Sequence, residues 1–155
     1  MTKIDGTDER ILSVLSREGR LANVDLAARV GLSPSACLRR VQELERRGVI
    51  RGYRAVIDRG ALGPRLTVFV VVGLSRQMTK DAKGFEAAMA AARQVQECHN
   101  ITGNVEYLLR VEVEDLEDFK DFHANILGSL PQVASITSHV CLGTSKDTRA
   151  GSPAT

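Results

Sequence analysis

The chain has 155 residues, 43% of them hydrophobic and 26% charged, which is the balance of a globular protein rather than of a disordered one. Its longest apolar run, Leu66 to Leu74, falls far short of the roughly 20 residues that cross a bilayer, and Met1 to Arg10 is polar where a secretory leader would be apolar. Three widely spaced cysteines, Cys37, Cys98 and Cys141, give no disulfide framework and suit a reducing cytoplasm, while the net charge of +2 hides an uneven distribution: residues 1–60 carry 12 Lys+Arg against 8 Asp+Glu, and residues 61–155 carry 9 against 11.

Thr7 is expected to cap a first helix, with Asp8 and Glu9 favoured by the helix dipole, Ile11, Leu12 and Leu15 on one face, and Gly19 as its end. A second, short helix is predicted from Asn23, burying Leu26, Ala27 and Val30 and stopping at Gly31. One residue further, Ser33-Pro34 is a capping serine with proline at the first helical position, so a third helix must start at once and in a new direction. Two short helices joined by such a turn form a helix-turn-helix, whose second helix enters the major groove of DNA.

On this third helix Cys37, Leu38, Val41 and Leu44 are expected to face inward. Residues near its start, Ser35, Ala36, Arg39 and Arg40, are placed to meet DNA base edges, Arg46, Arg47, Arg51 and Arg54 to meet phosphate, and the capping Ser33 is counted with them as a DNA-binding position. Seven arginines against two glutamates between Arg29 and Arg54 supply the attraction for a polyanion, although the same charges could be a solvated helical face. Val49 to Ile57 then reads as a short strand or wing. Cys37, on the apolar stripe with no histidine nearby, reads as a core thiol rather than a nucleophile.

Residues 58–65, with two glycines and a proline, read as a linker between an N-terminal domain, residues 1–57, and a second domain, residues 66–146; residues 147–155 read as a flexible tail. The second domain opens with a strand at Leu66 to Leu74, apolar enough to be buried on both faces, followed by a helix at Asp81 to Arg93 and a strand at Val95 to Ile101. A turn at Thr102-Gly103-Asn104 leads into an alternating strand, Val105 to Glu114, then a helix at Asp115 to Leu130 and a fourth strand at Val133 to Leu142. The fold class is therefore α+β, and the βαββαβ order is ferredoxin-like: a four-stranded antiparallel sheet with both helices on one face. Its uncovered face predicts at least a homodimer, which also pairs the DNA readers across a two-fold symmetric site.

Together these residues resemble the Lrp/AsnC, or feast/famine, family of transcriptional regulators. The likeness runs from Asp5 to about Lys146 and is carried by Asp8-Glu9-Arg10-Ile11-Leu12, Asp25-Leu26-Ala27, Val30-Gly31-Leu32-Ser33, Gly48-Val49-Ile50 and Gly52-Tyr53 in the first half. In the second half it is carried by Thr102-Gly103, Glu106-Tyr107-Leu108-Leu109, Leu130-Pro131 and Thr137-Ser138. The resemblance implies a winged-type helix-turn-helix, a C-terminal regulatory domain of the RAM type, dimers joined into octamers, and an effector, commonly an amino acid, held between subunits. The effector positions it implies are Gly103, Asn104, Val105, Glu106 and Tyr107, with Thr137 and Ser138 opposite. Backbone N–H groups of the turn would take a carboxylate and Glu106 an ammonium group.

The rival readings are a ferredoxin-like enzyme, a metal module and a protein-binding adaptor. His99, His123 and His139 accompany no nucleophile motif or glycine-rich phosphate loop, so no catalytic residue and no cofactor is assigned. Cys98-His99 and His139-x-Cys141 could offer metal ligands, but their spacing is not a zinc pattern and the ferredoxin-like order puts their strands at opposite edges; no metal is assigned.

Overall fold

A computed structural model describes residues 4–57, 59–63, 65–76 and 78–146. The tail at 147–155 lies outside these. The chain divides into two compact units, one reaching Ile57 and the other beginning at residue 58.

The N-terminal unit holds three helices, α1 (Gly6–Leu15), α2 (Asn23–Val30) and α3 (Pro34–Arg46). The cap of α1 is Asp5, not Thr7: its Oδ1 accepts from the N–H groups of Thr7 (2.9 Å) and Asp8 (2.8 Å), while Asp8 Oδ2 accepts from the N–H of Asp5 (3.3 Å), a reciprocal capping box. A carboxylate two residues earlier satisfies two orphan donors where the Thr7 hydroxyl could reach one. Helix α1 also ends at Leu15, well before Gly19. Helices α2 and α3 follow the expected boundaries. Gly31 takes φ 72°, the left-handed conformation that turns the chain, and the Ser33 hydroxyl accepts from the N–H of Ala36 to start α3 behind Pro34. Asn23 fastens the turn by donating to the carbonyl of Pro34 at 2.8 Å.

Ile11, Leu26, Ala27, Val30, Cys37 and Leu44 form the core of this unit, with Val49 and Ile50 packed against it. Leu38, expected inside, is 46% exposed. Nor does the segment after Gly48 form a strand: Val49 and Ile50 donate to the carbonyl of Leu44, and residues 51–57 are exposed with no β pairing among the described residues. A strand needs a ladder partner, and the described residues of this unit offer none.

The second unit contains a 3-10 turn (Arg59–Leu62), β1 (Leu66–Leu74), α4 (Thr79–Ala91), β2 (Val95–Asn100), β3 (Tyr107–Val113), α5 (Leu116–Phe122) running into a π-helical turn (His123–Leu127), and β4 (Val133–Val140). The strands lie in the order β2-β3-β1-β4, with every neighbouring pair antiparallel, as the ferredoxin-like reading requires. Val68, Val70 and Val72 of β1 and Tyr107, Leu109 and Val111 of β3 point to one face, where Phe85 and Met89 of α4 and Phe122 and Leu127 cover them. The other face of β1 is not buried as expected: Phe69 is 37% exposed and Thr67 and Val71 are half-buried, because both helices pack on the same side.

That open face carries a charged cluster. Arg110 on β3 donates to Glu97 of β2 (2.9 Å) and to its neighbour Glu112, and Glu97 also meets His99 at 3.1 Å. Strands β2 and β4, which bear Cys98-His99 and His139, occupy opposite edges, and no group of three metal-ligating side chains occurs among the described residues. No described helix is long and apolar enough to cross a membrane.

Candidate nucleic-acid interface and effector site

In α3 a 3.6-residue period separates two faces sharply. Cys37 and Leu44 are buried and Val41 half-buried, whereas Ser35, Leu38, Arg39, Gln42, Glu45 and Arg46 are exposed on the opposite arc. Of the predicted base-edge residues, Ser35 and Arg39 lie on that arc and Ala36 is half-buried; Ser33, a further DNA-binding candidate, has its hydroxyl engaged as the helix cap.

Arg40 stands apart. Its guanidinium Nη1 donates to Asp5 Oδ2 and to Asp8 Oδ1, both at 2.8 Å, across more than thirty residues of sequence. The Asp8 side chain is 10% exposed, so this bridge joins α3 to the buried end of the capping box of α1. The backbone N–H of Asp8 and then the Arg40 guanidinium hold the Asp5 carboxyl below its ordinary value, and both aspartates raise Arg40. Arg40 thus faces α1 and not the exposed arc, because its side chain spans the gap to two fixed carboxylates.

The phosphate candidates differ among themselves. Arg46 is held by Glu43 through two hydrogen bonds of 2.8 and 2.6 Å, which depresses the Glu43 carboxyl. Arg51 and Arg54 are exposed and make no ion pair with a described residue. Arg47 is half-buried and lines, with Asp5, Asp8, Arg39 and Arg40, a groove of about 640 Å³ beside α3. Tyr53 donates to Glu45 at 2.9 Å; burial, then this carboxylate, pushes its phenol up to about 12.

In the second unit the predicted effector residues do not share one face. Gly103 and Asn104 form an exposed turn closed by the bond from the Ile101 N–H to the Glu106 carbonyl (2.9 Å) and tied to β1 by the Glu106 N–H, which donates to the Val72 carbonyl (3.2 Å). Val105 and Glu106 are half-buried. Tyr107 is 1% exposed and turned into the core, its ring 4.6 Å from that of Phe85 and its hydroxyl donating to Glu86 at 2.8 Å. Thr137 pairs with Val71 and is exposed on the open face, while Ser138 pairs with Val70 and takes the helix side.

Glu106 has a structural task as well. The ladder between β1 and β4 slips between Gly73 and Leu74, and Glu106 Oε2 accepts from the Leu74 N–H at 2.7 Å. Gly73, opposite Ser135, is needed there: a Cβ on it would lie 2.5 Å from Ser135 Oγ and 3.8 Å from Glu106 Oε2. Ser135 therefore stands beside Glu106 more directly than Thr137 does, and the sequence reading missed it. The signal that would have found it is the register of β4 against β1, which no local pattern encodes.

Comparison with known proteins agrees with both halves. Residues 4–51 match the winged helix-turn-helix DNA-binding domain and residues 67–151 the Lrp/AsnC ligand binding domain. The leucine-responsive regulatory proteins of Haemophilus influenzae and Escherichia coli are 38% and 37% identical to the chain, over 94% and 90% of its length and 87% and 85% of theirs. A transcriptional regulator of Neisseria meningitidis, solved as a complex with L-methionine, superposes with a TM-score of 0.88 at 35% identity, covering 94% of both chains. A feast or famine regulatory protein of M. tuberculosis, also complexed with L-methionine, does so at 0.85 and 31% identity, over 95% of this chain and 97% of that one. Two matched domains in this order, and relatives aligned over nearly the whole length, establish that the chain belongs to the Lrp/AsnC family of DNA-binding transcriptional regulators.

Proposed function

We propose that this regulator reads duplex DNA with the exposed arc of α3, with Arg39 at base edges and Arg51 and Arg54 at phosphate, and that it answers to an amino acid bound near the turn ahead of β3. The observation that carries the reading is the fixed presentation of α3: capped by Ser33 at one end and clamped by Arg40 to α1, it offers an uncovered polar face in a unit with excess positive charge. Two copies joined through the open faces of their sheets would place two such helices on one symmetric site, and further pairing to octamers would multiply the contacts. Phe69, Val71 and Leu108, at the centre of that face, favour such a partner.

The effector is proposed to be an α-amino acid, its carboxylate taken by backbone N–H groups around Gly103 and its ammonium by Glu106. The L-methionine complexes of the two relatives favour this class. Anisotropy titration of the full chain against duplex DNA tests the first claim: affinity should fall steeply with salt, by about 0.9 in the logarithmic slope for each phosphate contact. Calorimetry with the twenty amino acids tests the second, and an absence of heat with all of them would refute it.

A further inference from the structure

The exposed face of α3 contains two side chains that the arginine-centred reading leaves idle. Leu38 is 46% exposed in the middle of a helix whose inward face buries Cys37 and Leu44. Gln42, one turn further on, is exposed near the centre of the arc, with Ser35 two turns before it and Arg39 alongside. Neither side chain makes a hydrogen bond or ion pair with a described residue. An exposed leucine gains nothing for the fold, and the helix has other faces for solvent. What distinguishes the two is chemistry. A leucine offers an apolar surface that can pack on a thymine methyl group. A glutamine amide offers a donor and an acceptor side by side, the pattern that pairs with N7 and the exocyclic amine of adenine in the major groove. Arg40, by contrast, is withdrawn from this face by its bond to Asp5 and Asp8.

We propose that Leu38 and Gln42 are specificity-determining residues, Leu38 packing on a thymine methyl and Gln42 reading an adenine edge in the same half-site. This rests on the DNA-reading function proposed above and adds to it a preference for A·T pairs beneath the middle of α3. Arg39, exposed one residue from Leu38, then supplies the charge-assisted contact, and the three side chains divide the half-site between apolar, amide and guanidinium readout.

The experiment begins by selecting binding sequences from a random duplex pool with the full wild-type chain. Two substituted forms of the selected duplex are then titrated: thymine replaced by uracil, which lacks only the methyl, and adenine replaced by 7-deazaadenine, which lacks only N7. These readouts need no variant and so do not depend on any mutant folding. Loss of the methyl at one position per half-site should weaken binding about three- to fourfold, and loss of N7 about five- to a hundredfold. Leu38→Ala should abolish the uracil penalty and leave the deaza penalty intact; Gln42→Ala should do the reverse. If both variants keep both penalties and select the same sequences as the wild type, the proposal is overturned while the DNA-binding function stands. If the wild type selects nothing and binds no duplex at low salt, that function falls and the proposal with it.

Discussion

At the scale of single residues, the carboxylates do more than the sequence pattern assigns to them. Asp5 is held ionised by the Asp8 N–H and by Arg40, so its folded carboxyl titrates below the ordinary value of 3.8. A depressed carboxylate contributes stability that is present above that ordinary value and is lost as the pH falls through the folded value. Asp5→Asn should accordingly lower the unfolding midpoint at neutral pH, and the difference from wild type should shrink as the solution is acidified below 3.8; thermal denaturation followed by circular dichroism at several pH values would show it. Glu106 invites a paired test. Glu106→Gln keeps an oxygen for the Leu74 N–H and removes the charge, so the fold should survive while amino-acid binding is lost. Glu106→Ala removes both, and should cost about 1–3 kcal/mol of stability in addition, because the Leu74 donor is left without its acceptor.

Among the elements, α3 is defined at both ends by local chemistry and in orientation by distant chemistry. The turn before it depends on Gly31 at φ 72°, where a Cβ meets no atom but the backbone conformation itself is unfavourable. Gly31→Ala should lose about 1–2 kcal/mol in equilibrium unfolding. Two adjacent arginines in α3 are expected to behave in opposite ways. Arg39→Ala, at an exposed position with no ion pair to a described residue, should leave the unfolding midpoint unchanged and weaken binding to the selected site by about 1–3 kcal/mol with relaxed sequence preference. Arg40→Ala, which strips the cation from Asp5 and the buried Asp8, should lower the unfolding midpoint and reduce affinity for all sequences alike. Equal effects of the two on stability and specificity would contradict this assignment.

For the molecule as a whole, the open sheet face is the proposed contact between copies. Phe69 sits at its centre, paired with Arg110 on one side and His139 on the other. In a lone protomer a 37% exposed phenylalanine can be replaced with little consequence, whereas in a paired one a charge there would be buried against the partner. Phe69→Lys should therefore leave the fold of each unit intact and convert the assembly to protomers in sedimentation velocity, with DNA affinity falling by the factor that bivalence contributes. An unchanged sedimentation coefficient would place the subunit contact elsewhere.

Much of this architecture was legible because it is local. The boundaries of α2 and α3 follow from Gly31, Ser33 and Pro34, and the βαββαβ succession of elements follows from the alternation of apolar runs with helical periods, since short-range sterics and hydrogen bonding set both. The arginine-rich run along α3 and the glycine turn before Glu106 were visible for the same reason. What the linear text could not settle depends on residues far apart. Arg40 belongs to a clamp only because Asp5 and Asp8 are brought beside it, Leu38 is exposed because no described element of its unit covers that part of α3, the Tyr107 hydroxyl finds its acceptor only because α4 supplies Glu86, and Ser135 joins Glu106 through the register of β4. Periodicity tells which side of an element differs from the other. Only tertiary packing decides what, if anything, lies against each side.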